Sequence, residues 1–372
     1  MSKESRSGDM GKFADFLSLT LNQAIESQTN CIVWNTMAIE PFKAKIGHDL
    51  SLMESWKRQG EEVRKMEERG VEMLNNFPLA SKSYLFDLYD SGEISMPYTE
   101  HPVLIGDETV EEKTKNFIEK LGAQNNKLPN LIVRKPNGIF GARTHGGHGV
   151  EVLDPQKTKF EWNDIDLVFQ EFVYPPLSIF KDGYLRDFRV MVIGGEAKMW
   201  YARRAKDRLI NPETGELEEN PPSSSRFLSN LCREGQYEEP PKELKKAAFQ
   251  FAEKVHQVIT KWGNGFREQI WQIGGEAKCR FMSVDLLFDQ KCNPKLLEVD
   301  FFPDMRRFPK NDVLVEKTAS YLKNLAGRTG KKILINNFFG DYELANQTTC
   351  KLVNQNINCK QMVLPREESS MF

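Results

Sequence analysis

The chain has 372 residues, of which 40% are hydrophobic and 28% charged, and its formal net charge is −2. That length fits about two to three domains, and that balance gives no bulk pull toward nucleic acid or an acidic membrane. No apolar run approaches the ~20 residues of a membrane span and the opening MSKESRSGDMGK has no signal-like apolar core; six cysteines without CxxC or zinc-site spacing read as reduced thiols in a cytoplasmic protein.

Residues 13–27, FADFLSLTLNQAIES, are spaced as an amphipathic helix, and CIVWNTM from Cys31 reads as a short buried strand. A charged helix is expected over 49–70, then a strand in GVEMLNN. This βαβ-like stretch suggests a small α/β first lobe. Residues 80–93 read as a helix closing at Gly92, residues 108–124 as a second, and the stretch around Pro97 as extended.

Leu128 to Pro136, LPNLIVRKP, is a strand with Lys135 at its end, followed by the glycine-rich loop NGIFGARTHGGHGV and a return strand, VEVLD. Glycine lets backbone N–H groups converge on a phosphate, and a lysine adds a point charge for the same anion. No GKS or GKT follows, so this is not a Walker loop. LVFQEFV, 167–173, is a strand that breaks at Pro175-Pro176.

Tyr184 to Ile193, YLRDFRVMVI, alternates, with Asp187 and Arg189 on one face. After a turn at Gly194-Gly195 comes AKMWYARRA, with Arg203 and Arg204. Residues 207–225 are polar, acidic and rich in Pro and Ser, and read as a surface insertion without a core. A segment with Asn230 and Arg233 follows, then a helix over 241–262 on which His256 is a packing residue. Residues 263–280 read as a loop or short hairpin, 312–326 as a helix, and the stretch from about 343, rich in Asn, Gln, Lys and Thr, as a partly disordered tail.

Between them lies an acidic hairpin. FMSVDLLFD places Met282, Val284, Leu286 and Phe288 on one face and Asp285 on the other; in KLLEVDFFPDM, Leu297, Val299 and Phe301 point one way and Leu296, Glu298 and Asp300 the other. A turn over 290–294 brings Asp285, Glu298 and Asp300 together. Three carboxylates this close demand a counter-charge, and oxygen-only ligands suit magnesium.

In this order the segments resemble the ATP-grasp superfamily of ADP-forming carboxylate–amine ligases, RimK-like glutamate ligases above all. The resemblance covers residues 75–306. Lys82 in ASKSYLFDLYDSGE and Lys135 in IVRKPNG match the two phosphate lysines, QEFV at 170–173 the strand whose backbone holds adenine, GYLRDFRVMVIGGEAKMWYARRA the D-x-R strand and basic strand, and RFLSNLCREGQ the Ser-Asn-Leu-x-Arg segment. It departs at Asp300, where Asn is usual, in a longer glycine loop carrying Arg143, His145 and His148, in the prolines standing where an acidic ribose ligand is expected, in the 207–225 insertion, and in a short first lobe.

The resemblance implies an α+β ATP-grasp fold, two α+β lobes clasping ATP with a small α/β N-terminal lobe: 1–78 the reduced lobe, 79–175 the first ATP-grasp lobe, 176–330 the second, 331–372 a tail. It implies that Lys82, Lys135, the loop glycines Gly141, Gly146 and Gly147, and Gln170, Glu171, Phe172 and Val173 bind ATP. It further implies that Asp285, Glu298 and Asp300 hold one or two Mg²⁺ ions, with Mn²⁺ able to substitute, and that Arg203, Arg189 and Asn230 bind the reacting carboxylate. The expected activity joins a carboxylate to an amine through an acyl phosphate, adding an amino acid such as glutamate to a peptide, protein or small molecule, with no nucleic-acid or membrane partner. A catalytically silent, synapsin-like ATP-binding protein and a tubulin tyrosine ligase-like modifier are the alternatives.

Overall fold

The computed structural model describes residues 29–35, 60–61, 63–77, 84–100, 104, 106–121, 128–136, 150–160, 162, 167–218, 235–300, 311–336 and 342–362. Strands and helices together build three sheets, so the architecture is α+β.

The first sheet is parallel, in the order β13-β12-β1-β2, with β1 at Cys31–Asn35, β2 at Glu72–Met73, β12 at Lys332–Asn336 and β13 at Cys359–Met362. Ile32, Val33, Ile333 and Leu334 are all buried, as strands covered on both faces require. The expected strand in GVEMLNN shrinks to β2, and residues 63–68 before it are helical. The helix expected over 13–27 lies outside the described residues.

The C-terminal stretch is not a tail. Helix α4 (Asn311–Thr329) runs into β12, and α5 (Tyr342–Asn354) carries the chain across to β13 as a parallel crossover. Residues 332–362 therefore complete the sheet that β1 begins. The apolar core of β12 is only Ile333, Leu334 and Ile335 between polar flanks, and its partner β1 lies at the other end of the chain, so no local pattern announces it.

The second sheet is antiparallel, ordered β3-β6-β4-β5, with β3 at Thr99–Glu100, β4 at Ile132–Pro136, β5 at Glu151–Leu153 and β6 at Leu167–Glu171. Helix α1 (Tyr84–Ser91) stops at Gly92, whose φ of 64° takes the left-handed region that ends a helix. Helix α2 (Val110–Lys120) begins in a capping box between Thr109 and Glu112 and packs Phe117 into a cluster with Phe160, Trp162 and Phe169.

The third sheet is antiparallel, ordered β11-β10-β7-β8-β9: β7 spans Arg186–Ile193, β8 Glu196–Arg204, β9 Gln236–Glu238, β10 Phe281–Phe288 and β11 Pro294–Asp300. One face packs on α3 (Lys245–Phe266) through Phe251, Val255 and Ile259 against Val190, Val192, Val284 and Leu286. The other face packs Met191, Ile193, Met199 and Phe281 on Leu314, Val315 and Leu322 of α4. Beyond α3 the stretch expected as a loop or hairpin begins as a π-helical turn, Arg267–Trp271, whose buried Arg267 bonds Glu67 and the Asn76 carbonyl.

The extended segment after Gly92 touches two sheets. Leu296 N–H donates to the Ser95 carbonyl at 2.9 Å, and Glu171 N–H donates to the Tyr98 carbonyl at 2.7 Å, next to the Thr99–Gln170 pair of β3 and β6.

The insertion is only partly as expected. Leu209 and Ile210 are fully buried with Phe172, Tyr174 and Leu185, and both donate their N–H to the Gly183 carbonyl. Gly183 has a φ of 73°, and a Cβ there would fall on the Ile210 carbonyl oxygen. Two apolar residues in a polar stretch suffice to anchor it; residues 219–225 lie outside the described residues. Among the described residues no helix is long and apolar enough to cross a membrane, and the described cysteines are free.

Candidate active site

Strands β7, β8 and β10 bring a row of charged residues to one face of the third sheet. Asp285 stands opposite Arg189 in the β10–β7 register, Arg203 opposite Asp187 in the β7–β8 register, and Glu298 opposite Asp285 in β10–β11. The Arg189 fork donates to Asp285 through Nε at 2.6 Å and Nη2 at 2.7 Å. The Arg203 fork donates to Asp187 through Nε at 2.7 Å and Nη2 at 2.5 Å, and the same Nη2 donates to Asp285 at 2.8 Å. Asp300 lies 3.8 Å from Arg189 Nη1. All four of Asp187, Arg189, Arg203 and Asp285 are buried.

A β-bulge places the acids. The β10–β11 register shifts between Asp285 and Leu286, so Asp285 faces Glu298 while Leu286 faces Leu296. Strict alternation puts Leu296 on the acidic face; instead the extra residue, Leu297, turns Leu296 into the α3-side core, where it is fully buried.

Burial alone would raise the Asp285 carboxyl, but the facing Arg189 and Arg203 outweigh it and hold it at about 2. Burial pushes Asp187 up, since it has one guanidinium where Asp285 has two. Both arginines are held above their ordinary value: burial works against their charge, and the carboxylates overcome it. The result is a buried network of two cations and two anions joined by planar, charge-assisted bonds.

Two neighbours escaped the sequence analysis as site residues. Asp187 was visible on the Arg189 face, and its register partner Arg203 makes it the residue that aims that fork. Tyr201 is buried opposite Arg189, and burial raises its phenol despite the two arginines. Only the strand period, which groups Met199, Tyr201 and Arg203, pointed to it.

The other expected residues are placed unevenly. Gln170 is buried and donates from Nε2 to Thr99 at 2.9 Å; Glu171 N–H donates to Tyr98 and Phe172 N–H to Leu131; Phe172 and Val173 are buried. Lys135 lies on β4, paired with Val168. Lys82, Gly141, Gly146, Gly147 and Asn230 lie outside the described residues. His256 is half-buried with a ring nitrogen on the Cys279 carbonyl, the packing role expected of it.

The fit for a metal is partial. Among the described residues no three acidic, His or Cys side chains stand close enough to share one ion. Of the three carboxylates read from the hairpin, Asp285 stands opposite Glu298 and shares Arg189 with Asp300, but it is turned into the guanidinium network, where it accepts three hydrogen bonds. Glu298 and Asp300 are half-buried carboxylates of the oxygen-only kind that suits a hard cation completing its shell with phosphate and water.

No protein-family model matches the chain, and no curated protein matches it. Solved structures do. The ATP-grasp ligase PsnB, complexed with precursor peptide PsnA2 and AMPPNP, is 15% identical, with 76% of this chain and 71% of that chain covered and a TM-score of 0.38. Macrocyclase MdnC from Microcystis aeruginosa MRC, bound with precursor peptide MdnA, is 14% identical, with 81% of each chain covered and a TM-score of 0.39. The VanG D-Ala:D-Ser ligase from Enterococcus faecalis is 11% identical, with 73% of this chain and 69% of that chain covered and a TM-score of 0.39.

Proposed function

We propose that the chain is an ATP-dependent, ADP-forming carboxylate–amine ligase of the ATP-grasp type, making an amide bond through an acyl phosphate. The observation that carries this reading is the Arg189–Arg203 pair, held in place by Asp187 and Asp285 beside Glu298 and Asp300. The order of motifs in the sequence, from Lys135 to Asp300, supports it.

Each residue then has a task. Arg203 and Arg189 bind the reacting carboxylate and the oxyanion that forms when the amine adds, since a guanidinium fork matches both. Asp187 and Asp285 fix the forks, so no reorientation is needed as charge develops. Glu298 and Asp300 hold magnesium, which neutralises phosphate charge when bound. Asp285 acts on that site through Arg189, which links it to Asp300. With the Glu171 and Phe172 N–H groups committed inside the protein, a purine is read by Val173 and by carbonyl oxygens of this stretch. Lys135, Lys82 and the glycine loop carry the phosphates.

The test is product analysis. The purified chain is incubated with ATP, magnesium and a panel of amino acids, peptides and acidic-tailed proteins. ADP should form only when a carboxylate and an amine are both present, with a product lighter than their sum by one water. Release of AMP instead of ADP, or bound ATP that is never turned over with any acceptor, would overturn the assignment.

A further inference from the structure

A second charged region lies at the far end of the same strands. From Arg189 to the Gly194-Gly195 turn is five residues along β7, about 17 Å at strand rise. There a cavity of about 710 Å³ opens between that turn, α3, α4 and the start of β10. The stretch before β10 that lines it is bonded to the residues that follow β2: Asn76 N–H donates to the Lys278 carbonyl, and Asn75 bridges Cys279. Gly194 has a φ of 63° and lies against the Tyr321 ring, so this wall closes only because no Cβ stands there.

Among the described residues the charge at this cavity does not balance. Its wall carries Lys198, Lys278, Arg280, Lys317 and Arg328 against Glu196, Glu276 and Glu316. Two of those acids are taken, Glu196 by Lys198 and Glu316 by Lys351 at 3.2 Å. Behind the wall one buried carboxylate, Glu72, serves three cations at once: Arg280, Lys278 at 3.5 Å and Lys331 at 3.4 Å. Burial raises Glu72, but the cations around it win and hold it below the usual carboxylate range. Three half-buried cations on one acid leave a surplus of two positive charges in a partly desolvated place, which is costly unless an anion arrives.

We propose that this cavity binds a phosphorylated small molecule, at a site separate from the Arg189–Arg203 network. The volume is that of a small-ligand pocket. Arg280, Lys278 and Arg328 meet the phosphate: two guanidiniums and an ammonium on one wall are a donor set suited to a phosphate dianion. Thr260, Ser320 and Asn324 offer hydrogen bonds to the uncharged part of the ligand. The walls come from the β7–β8 turn, α3, α4 and the stretch before β10, and Glu72 of the parallel sheet stands behind them on Arg280 and Lys278.

The inference stands apart from the ligase reading, and its test does not require turnover. Inorganic pyrophosphate, without magnesium, is titrated calorimetrically into the wild-type chain, into Arg203→Ala, and into Lys278→Gln with Arg328→Gln. Binding that weakens with added salt is expected in the wild type and in Arg203→Ala, with at least a tenfold loss in the double variant. Arg328 is exposed near the end of α4, so Arg328→Gln alone serves if the double variant does not fold; it should lose severalfold. No binding to the wild type, binding unaltered in these variants, or binding lost in Arg203→Ala instead would overturn the site. Tighter binding of hexaglutamate than of pyrophosphate would also overturn it, in favour of an acidic peptide.

Discussion

Two charged clusters lie on either side of the start of β10, and they are built on opposite rules. At Arg189, Arg203, Asp187 and Asp285 two cations meet two carboxylates, all buried and bonded fork to fork. At Glu72, Lys278, Arg280 and Lys331 three cations share one acid. The first arrangement is complete without a ligand, so its value lies in holding donors still. The second is incomplete, so its value lies in what it attracts. Both draw on β10 and the residues just before it, which places a balanced and an unbalanced cluster a few residues apart.

The sharpest way to break the contrast is to remove one charge from each. Asp285→Asn leaves two buried guanidiniums with too few carboxylates, and unfolding in urea should show a loss of about 3–5 kcal/mol. Lys278→Gln removes a half-exposed cation from a cluster that has too many, and should change stability by about 1 kcal/mol or less. Equal losses at the two sites would erase the distinction.

Activity tests the balanced cluster next. Arg203→Ala should lower the ligation rate a hundred- to a thousandfold, about 3–4 kcal/mol, as loss of an oxyanion donor does. Arg203→Lys should be nearly as poor, because the fork that spans Asp187 and Asp285 is gone although the charge remains. ATP affinity should hardly change. If calorimetry shows nucleotide binding falling as far as the rate, Arg203 is a nucleotide ligand instead.

Acid gives a smaller effect than either loss expected at the balanced cluster. Asp285 is held at about 2, below an unfolded value of about 4, so its contribution is complete above pH 4 and is lost as pH falls toward 2. The size is on the order of 2 kcal/mol. Asp187, pushed up by burial, acts in the opposite sense, since it takes its proton more readily in the folded state. Stability measured between pH 5 and pH 2 should therefore fall mainly below pH 4. A fall already complete at pH 4 would show that the two arginines do not hold Asp285 down.

Much of this cluster was legible in the sequence, because strands announce their faces. The alternation of RDFRVMVI and FMSVDLLF put Arg189 and Asp285 on polar faces, and the two Gly residues of the β7–β8 turn and the polar turn after β10 announced the two hairpins, whereas the β7–β10 pairing that brings the two residues together is non-local. What alternation cannot show is a bulge, which is why Leu296 was placed with the acids. The arginine-bearing hairpin reads in the sequence as facing the acidic one, but alternation does not reveal that Asp285 takes both forks, Arg189 and Arg203, at once. The parallel sheet was hardest to read, since β1 and β12 meet only through a pairing across almost the whole chain. The unbalanced cluster draws Glu72, Lys278, Arg280 and Lys331 from three distant stretches and had no local signature.

The segment from Ser95 to Tyr98 sets a rule for motion. One end is pinned to β11 through the Ser95 carbonyl and the other to β6 through the Tyr98 carbonyl, with only Met96 and Pro97 between. A tether that short, with a proline fixing one torsion, gives almost no slack. While both bonds last, the β3–β6 sheet cannot slide along the arginine-bearing sheet, and Gln290 Nε2 on the Pro175 carbonyl, with Val152 and Phe172 clustered with Leu185 and Ala205, ties the two at further points. Lengthening the tether would loosen one of these ties without touching a single residue of either charged cluster.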